Sequence, residues 1–530
     1  MSRTRRGGGG EGKRYVLHVP LQDTPWVGWS TTSTEERMKL LHSIRKWHHS
    51  RLKYHSIRCL NTSRHEEISD SEQRPLYTSL QESYLNTGSV YVHWPYCKQR
   101  CSYCNFVKFI PRPNSFWTIQ DSILEDALVK ELQHILQNSY ISTVQSVFFG
   151  GGTPSLARPQ MVEKILRAIQ ENCHLNENAE ITLEVNPTSI ETRKLQDFKA
   201  LGGINRVSIG VQTLDETSLR LFNRDHSVKE AMHCIGVARQ LFPGRVSMDI
   251  IFGRPSQTTE SWVQELKEVL SFSDNHISLY QLTVERGTKL FQQIKSGEVI
   301  VPCADLVADL YETAVSLLED SGFKRYEVSN FARGCFAESL HNKAYWRGCQ
   351  YIGIGPGAHS RIVPRIISEE NSAVHNLCTV SNFKYDVNFK SSDGCGGSTV
   401  KHESNLKDSL FNSSMIREAR VNAADPASWL KEVKLKGTGI RKSTTQTPFD
   451  VSSEYVASGL RTSEGITALR WNTFIPHISL WEVFHDRTLW LQECNLLQMS
   501  SEGMKATSHG LNVLDSILPF LLNISAERLT

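Results

Sequence analysis

The chain has 530 residues, 39% of them hydrophobic and 22% charged, with a net charge of +3. That length suits two or three domains, and the near-neutral balance gives no global case for nucleic acid or an anionic membrane as partner. No apolar run reaches membrane-spanning length and no secretory hydrophobic core opens the chain, so the 12 cysteines point to metal binding or free thiols rather than to a disulfide framework.

Residues 1–37 carry a glycine run and little hydrophobic pattern, and read as disordered. From Met38 the stretch MKLLHSIRKWHHSRLKYHSIRCLNTSRH is rich in Arg, Lys, His and Ser and has no acid before Glu66. Leu41, Ile44, Trp47 and Leu52 recur roughly at helical spacing between basic residues, which is the makeup of a mitochondrial transit peptide. A disordered basic tail is the plainer alternative. The sharper reading makes Met38 a functional start, residues 1–37 an upstream extension, and 1–88 an N-terminal extension with a mitochondrial address.

From Val90 to about Val328 a short β-rich run, a polar or glycine-rich loop and a helical stretch alternate. The runs are SVYVHW (89–94), SVFFGG (146–151), ITLEVNP (181–187), RVSIGVQ (206–212), SMDIIFG (247–253) and HISLYQL (276–282), with helical patterns such as Ile123–Leu136 and Met161–Ile169 between them. This order predicts a parallel sheet with right-handed crossovers, and six units fit an open or partial (β/α)6 barrel better than a closed one of eight. The distinctive residues follow one end of these runs. They are three cysteines after the first, Gly150 to Pro154 after the second, Glu184 and Asn186 at the third, Gln212 at the fourth, Asp249 in the fifth, and Tyr280 and Gln281 in the sixth. Carboxyl ends of parallel strands build active sites, so residues far apart in the chain are expected to meet in one pocket.

The cysteines, Cys97, Cys101 and Cys104 in HWPYCKQRCSYCNF, suit either zinc or an iron–sulfur cluster. With His93 they could supply four tetrahedral ligands to zinc. His93, however, lies inside the predicted strand, where the pleat fixes its direction, and the loop begins only after Pro95. Three thiolates on a four-iron cubane would instead leave one iron open to an exchangeable ligand.

The spacing C-x3-C-x2-C after a first strand, followed by a GGGTP motif after the second, resembles the radical S-adenosylmethionine (SAM) proteins. YVHWPYCKQRCSYCNF, FFGGGTPS, LEVNP, RVSIGVQTLD, DIIFGRPSQT, HISLYQL, YEVSNFAR, HNKAYW and GIGPGAHS resemble, in order, the HemN/HemW family, from about Tyr91 to Ser360. The resemblance implies a [4Fe–4S] cluster on Cys97, Cys101 and Cys104, with SAM chelating the fourth iron. It also implies Tyr91, Tyr103, Gly151, Gly152, Thr153 and Glu184 around SAM, and Gln212, Arg224 and Asp249 in the same pocket. A backbone without Cβ atoms could approach the ligand and offer its N–H groups.

Two branches of that family differ in their work. The oxygen-independent coproporphyrinogen III oxidases carry a further Cys just after the triad, where this chain has Phe106, as HemW haem chaperones do. HNKAYW, His341 to Trp346, resembles the HNxxYW motif that HemW proteins use in connection with haem, and His and Tyr are both established haem ligands. The expectation is a chaperone that binds haem at His341, with Tyr345 as alternative and His359 as rival. It would pass haem to apoproteins, respiratory cytochromes among them, without coproporphyrinogen oxidase activity. The alternative is a radical SAM oxidase of that oxidase type.

Residues 366–410 hold a Ser-, Asn- and Gly-rich stretch that reads as a flexible insertion, with Cys378 and Cys395 in or beside it and no role assigned. Family character returns over 411–530, where a C-terminal extension leads into a small helical or winged domain. With no basic stripe there, packing or a protein partner is expected rather than nucleic acid. The domain expectation is therefore 1–88, 89–365, 366–410 and 411–530.

Overall fold

The computed structural model describes residues 82–111, 121–365 and 416–522. The basic N-terminal stretch and the 366–410 insertion, with Cys378 and Cys395, lie outside the described residues.

Six strands, β1 (Thr87–Trp94), β2 (Thr143–Gly151), β3 (His174–Val185), β4 (Arg206–Gln212), β5 (Val246–Phe252) and β6 (His276–Gln281), lie side by side in chain order and all parallel. Helices α1 (Asp121–Gln137), α2 (Pro159–Asn172), α3 (Ser189–Ala200), α4 (Val228–Leu241), α5 (Thr259–Phe272) and α6 (Ala304–Asp320) make the crossovers and the outer layer. This is the partial (β/α)6 arrangement that the alternation of runs predicts. Polar caps punctuate it: the Thr188 side chain caps α3, and capping boxes at Ser227–Glu230 and Thr258–Ser261 open α4 and α5.

The strands are apolar outward and polar inward. Val90, Val92, Val147, Phe149, Leu183, Val207, Ile209, Met248, Ile250 and Leu279 are shut against the helices. Their neighbours of opposite parity, Tyr91, Phe148, Glu184, Ser208 and Asp249, are only half-buried. Period-two alternation therefore turns the hydrophobic effect outward to the helix layer and leaves the lumen as a polar, accessible chamber.

The sheet continues on both flanks. Past β6 come β8 (Asn330–Ala332) and β7 (Lys324–Glu327), antiparallel. Past β1 come β9 (Gln350–Ile354), parallel, then β10 (His359–Ile362), β11 (Arg417–Asn422) and β12 (Ile440–Gln446), antiparallel. Between β8 and β9 sits a short helix, α7 (Leu340–Trp346). The flanking strands and α8 (Pro426–Lys436) are pinned to α1 by one carboxylate. Glu131 accepts from Gly355 N at 2.8 Å and Trp429 Nε1 at 2.9 Å on one oxygen, and from Gly439 N at 2.6 Å and Asn422 Nδ2 at 3.1 Å on the other.

A second core lies beyond. Helix α9 (Pro448–Gly459) and the helices after it pack with a three-stranded antiparallel sheet, β13 (Ile466–Thr467), β15 (Gly503–Ala506) and β14 (Leu497–Ser500), around Val456, Trp471, Phe484 and Leu521. Tyr84 and Leu85, just before β1, belong to this core: the Tyr84 ring meets Phe474 edge-on at 5.1 Å, and Gln350 Nε2 donates to the carbonyls of both. No helix among the described residues is long and apolar enough to cross a membrane.

Candidate functional site

The three cysteines lie on the loop that leaves β1. Cys97 N bonds to Phe109 O at 3.0 Å and Phe109 N to Pro95 O at 2.7 Å, which closes the loop on itself. Ser102 docks it on the segment after β4, through Ser102 N to Phe222 O at 3.0 Å and Ser102 Oγ to Leu221 O at 2.8 Å. Cys97 is buried, Cys101 and Cys104 half-buried, and the Phe106 side chain is 51% exposed. Among the described residues no three His, Cys, Asp or Glu gather round a single-ion position. The three thiols are still close enough to act on one another electrostatically, as suits ligands on separate corners of a larger group. Burial pushes the Cys97 thiol up to about 11, so a thiolate there calls for a cationic centre. Thr153 Oγ1 donates to Cys97 Sγ at 3.4 Å and the Arg224 guanidinium approaches Cys101 Sγ at 3.5 Å. The donor set fits a [4Fe–4S] cluster.

His93 is withdrawn from metal binding. Its Nε2 donates to the Val107 carbonyl at 2.8 Å and its Nδ1 accepts from the Tyr91 hydroxyl at 3.2 Å, so neither nitrogen is left for an ion. Burial lowers its pKa to about 4, helped by nearby His359, which opens β10. The ring instead spans β1 and the cysteine loop, a role the zinc alternative did not foresee.

The glycine loop works otherwise than expected. Its N–H groups are used within the protein: Gly151 N to Glu184 Oε2 at 3.1 Å, Gly152 N to Trp94 O at 2.7 Å and Thr153 N to Tyr96 O at 2.8 Å. The glycines are required by packing. Gly151 has φ +106°, and a Cβ on it would meet the His93 ring at 2.7 Å; one on Gly152 would meet Tyr96 O at 2.6 Å. The loop is a seat for the start of the cysteine loop rather than a row of free amides.

Around the chamber the remaining expected residues come together. Glu184 is raised to about 8 by burial and by Asp249, and Asp249, which accepts from Ser208 Oγ at 3.0 Å, is raised to about 6 by burial. Gln212 ends β4 with φ +69°, a left-handed conformation that costs a non-glycine residue about 1–3 kcal/mol and tends to occur at functional sites. Arg224 donates to Asn186 Oδ1 and, at 3.0 Å, to Gly210 O; Asn186 Nδ2 donates to Asp225 Oδ1 at 2.5 Å. The Arg224 Nε is buried without a hydrogen-bond partner. Tyr103 lies edge-on to Phe222 at 4.8 Å with its phenol against Arg224. Asn186 and Asp225 are thus members that sequence reasoning left without a role, although Asn186 stands at a strand end.

The HNKAYW segment is helical, as the four-residue spacing of His341 and Tyr345 allows, but the two side chains meet different surroundings. The His341 ring stacks on Phe148 at 4.4 Å and 24°, and beside Tyr91 at 6.1 Å and 28°. Its Nδ1 is buried and unpartnered, and burial lowers the imidazole to about 4. Tyr345 faces away from the chamber, tilted on Tyr351 at 5.5 Å and edge-on to Trp346 at 5.1 Å, with Arg361, Arg417 and Glu454 of a buried ionic network beside it. Trp346 lies under Arg461 at 5.3 Å. Glu180 Oε1 anchors the N-terminal end of α7, accepting from Ser339 Oγ at 3.1 Å, Leu340 N at 2.8 Å and His341 N at 3.3 Å.

Six parallel strands with three thiols past the first and a polar chamber behind them define a radical SAM protein, and residues 91–269 match the family model described as the Radical SAM superfamily. A Danio rerio protein named "Radical S-adenosyl methionine domain-containing protein 1, mitochondrial" is 43% identical over 443 residues, 83% of this chain and 88% of its own length. "Heme chaperone HemW" of Escherichia coli (strain K12) is 34% identical over 278 residues, 52% of this chain and 70% of its own. The solved structure of the Escherichia coli coproporphyrinogen III oxidase HemN has a TM-score of 0.61, covering 85% of this chain and 93% of that one; at 19% identity this is a likeness of fold. The chain belongs to the HemN/HemW family of radical SAM proteins, in the group that holds radical SAM domain-containing protein 1 and HemW. The family implies SAM and a [4Fe–4S] cluster. The mitochondrial expectation is borne out in the names of the relatives.

Proposed function

We propose that this chain is a mitochondrial haem chaperone that holds a [4Fe–4S] cluster with SAM, binds haem, and passes it to apoproteins such as respiratory cytochromes. The observation that carries the reading is the placement of His341. It is a neutral imidazole with an unpartnered, buried Nδ1, set by Glu180 in the chamber behind the cysteine loop. The relatives named HemW are described as haem chaperones, and by the family resemblance Phe106 stands where the oxidase branch is expected to have a further thiol.

In this reading Cys97, Cys101 and Cys104 hold the cluster, whose open iron supplies a chelation point and one-electron chemistry when bound. Thr153 and Arg224 stabilise the thiolates through the contacts at Cys97 and Cys101. Tyr91, Tyr103, Gly151, Gly152, Glu184, Gln212 and Asp249 shape the SAM side of the chamber. His341 is the haem ligand; Tyr345, engaged with Tyr351 and the ionic network, is the weaker candidate. The expected division at 1–88, 89–365, 366–410 and 411–530 is kept except at its first boundary, which moves back because Tyr84 and Leu85 pack in the second core and β1 begins at Thr87; residues 38–90 are sufficient for import.

A haem titration of wild type, His341→Ala and His359→Ala, with the cluster intact, tests the assignment. Wild type is expected to bind about one haem with a shifted Soret band, and His341→Ala to bind about tenfold or more weakly, the scale of losing one strong ligand. Loss in His359→Ala alone moves the site to His359, in the segment GIGPGAHS (353–360), and no binding by wild type ends the chaperone reading. A fluorescent fusion of residues 38–90 that stays in the cytosol ends the transit-peptide part.

A further inference from the structure

The haem assignment to His341 carries a second consequence, which rests on that reading. His341 touches Phe148 and Tyr91. Tyr91 in turn bonds to His93, and His93 holds Val107 of the cysteine loop and leaves no room for a Cβ on Gly151. Only two side chains therefore separate His341 from the loop that carries the three thiols. His341 stacks beside Tyr91 and Phe148, Tyr91 lies within electrostatic reach of Glu184 and Glu184 of Asp249, and Asp249 accepts from Ser208 Oγ, so these half-buried side chains form one continuous wall. Helix α7 is held at its start by Glu180 and just past its end by the Arg347–Glu464 pair, which fixes the backbone from which the ring projects.

We propose that haem and SAM bind this chain in mutual opposition, with His341 as the wall common to both. There are two ways for a porphyrin to reach His341, and both have this result. A macrocycle that reached the ring without displacing it would have to enter beside Tyr91 and Phe148, on which the ring rests. One that drew the ring away from Phe148 would take the stacking partner from Tyr91 and open that wall. Either way each ligand lowers the affinity for the other, and linkage requires the two factors to be equal. The device has a use in a carrier: SAM arriving at the cluster becomes a signal to let the haem go.

The test uses the full chain with its cluster reconstituted anaerobically. SAM affinity is measured by equilibrium dialysis with and without bound haemin, and haemin affinity from the Soret band with and without SAM. The expected result is that haemin weakens SAM by about fivefold or more, the lower end of ordinary coupling, and that SAM weakens haemin by the same factor. In His341→Phe, which keeps an aromatic ring on Phe148, the SAM affinity, whatever its basal value, is expected to be indifferent to added haemin. Unchanged affinities in a ternary complex overturn the inference and leave the haem reading standing. Failure of wild type to bind haemin at all overturns both. Coupling that persists undiminished in His341→Phe overturns the assignment of the shared wall to His341.

Discussion

His341 lies nearly parallel to Phe148, ring centroids 4.4 Å apart, although 193 residues of sequence separate the two. The contact holds the imidazole neutral: burial takes its pKa from the usual 6.5 to about 4. The unfolded chain then binds a proton between those values that the native chain does not. The contribution to stability is present in full above pH 6.5 and is lost as pH falls towards 4. Between pH 7.5 and 5 wild type should lose about 1–2 kcal/mol more than His341→Phe, measured by urea unfolding at each pH. Equal losses in the two proteins would show that the ring is not held as described.

The cysteine loop makes the next prediction. Reconstituted protein should carry about four irons and four sulfides per chain, as a cubane requires. Alanine at Cys97, Cys101 or Cys104 should abolish the cluster. Alanine at Cys173, beside α2, or at Cys234, shut inside α4, should leave it intact, because neither thiol reaches the loop. Stoichiometric zinc in place of iron would refute the assignment.

Glu131 offers a test of the fold. Each of its oxygens accepts from two donors, so an isosteric amide must set its own NH2 against two N–H groups. Glu131→Gln is expected to destabilise by about 2–4 kcal/mol, two buried donors left unmatched. A change in the urea midpoint equivalent to less than about 0.5 kcal/mol would mean that solvent or a shifted loop takes over the donors.

Coproporphyrinogen III, incubated anaerobically with reconstituted protein, SAM and reductant, should remain undecarboxylated, because Phe106 takes the place of the oxidase thiol. Formation of protoporphyrinogen at a rate that depends on Cys97 would favour the oxidase over the carrier.

Much of this was legible in the sequence where the signal is local. The six strands stand out as β-branched runs, Ser227–Glu230 is a visible capping box, and the spacing of the thiols needs no fold to be noticed. Contacts between distant segments were not legible. Nothing near Glu131 announces Gly355, Trp429 or Gly439, and nothing in HNKAYW says that His341 will face Phe148 while Tyr345 turns to Tyr351. The flanking strands β9 to β12 were missed because β9 and β10 are only five and four residues long, and β11 and β12, REARVN and IRKSTTQ, are polar and show no apolar alternation. One signal was available and unused: Tyr91, His93, Phe148, Glu184, Ser208, Asp249 and Ser278 occupy alternate positions in their strands. Read with that parity, the chamber wall can be drawn from the sequence. The internal bonding of the glycine loop was not legible because a GGG run looks the same whether its N–H groups are free or already bonded within the protein.

Tyr84 and Leu85 complete the core that the chain's last helices build, although they come before the first strand. A segment from before the barrel and one from after it thus fasten the same knot, with the barrel tied between them. A protein threaded through a membrane from its N-terminus would bring Tyr84 across early and the last helices at the end, so this core stays open until the whole chain has arrived. On the transit-peptide reading proposed above, a maturing protease must cut upstream of Tyr84, a tighter limit than the expected SAM residue Tyr91. A later cut would leave Gln350 Nε2 without its two carbonyls and uncover Phe474.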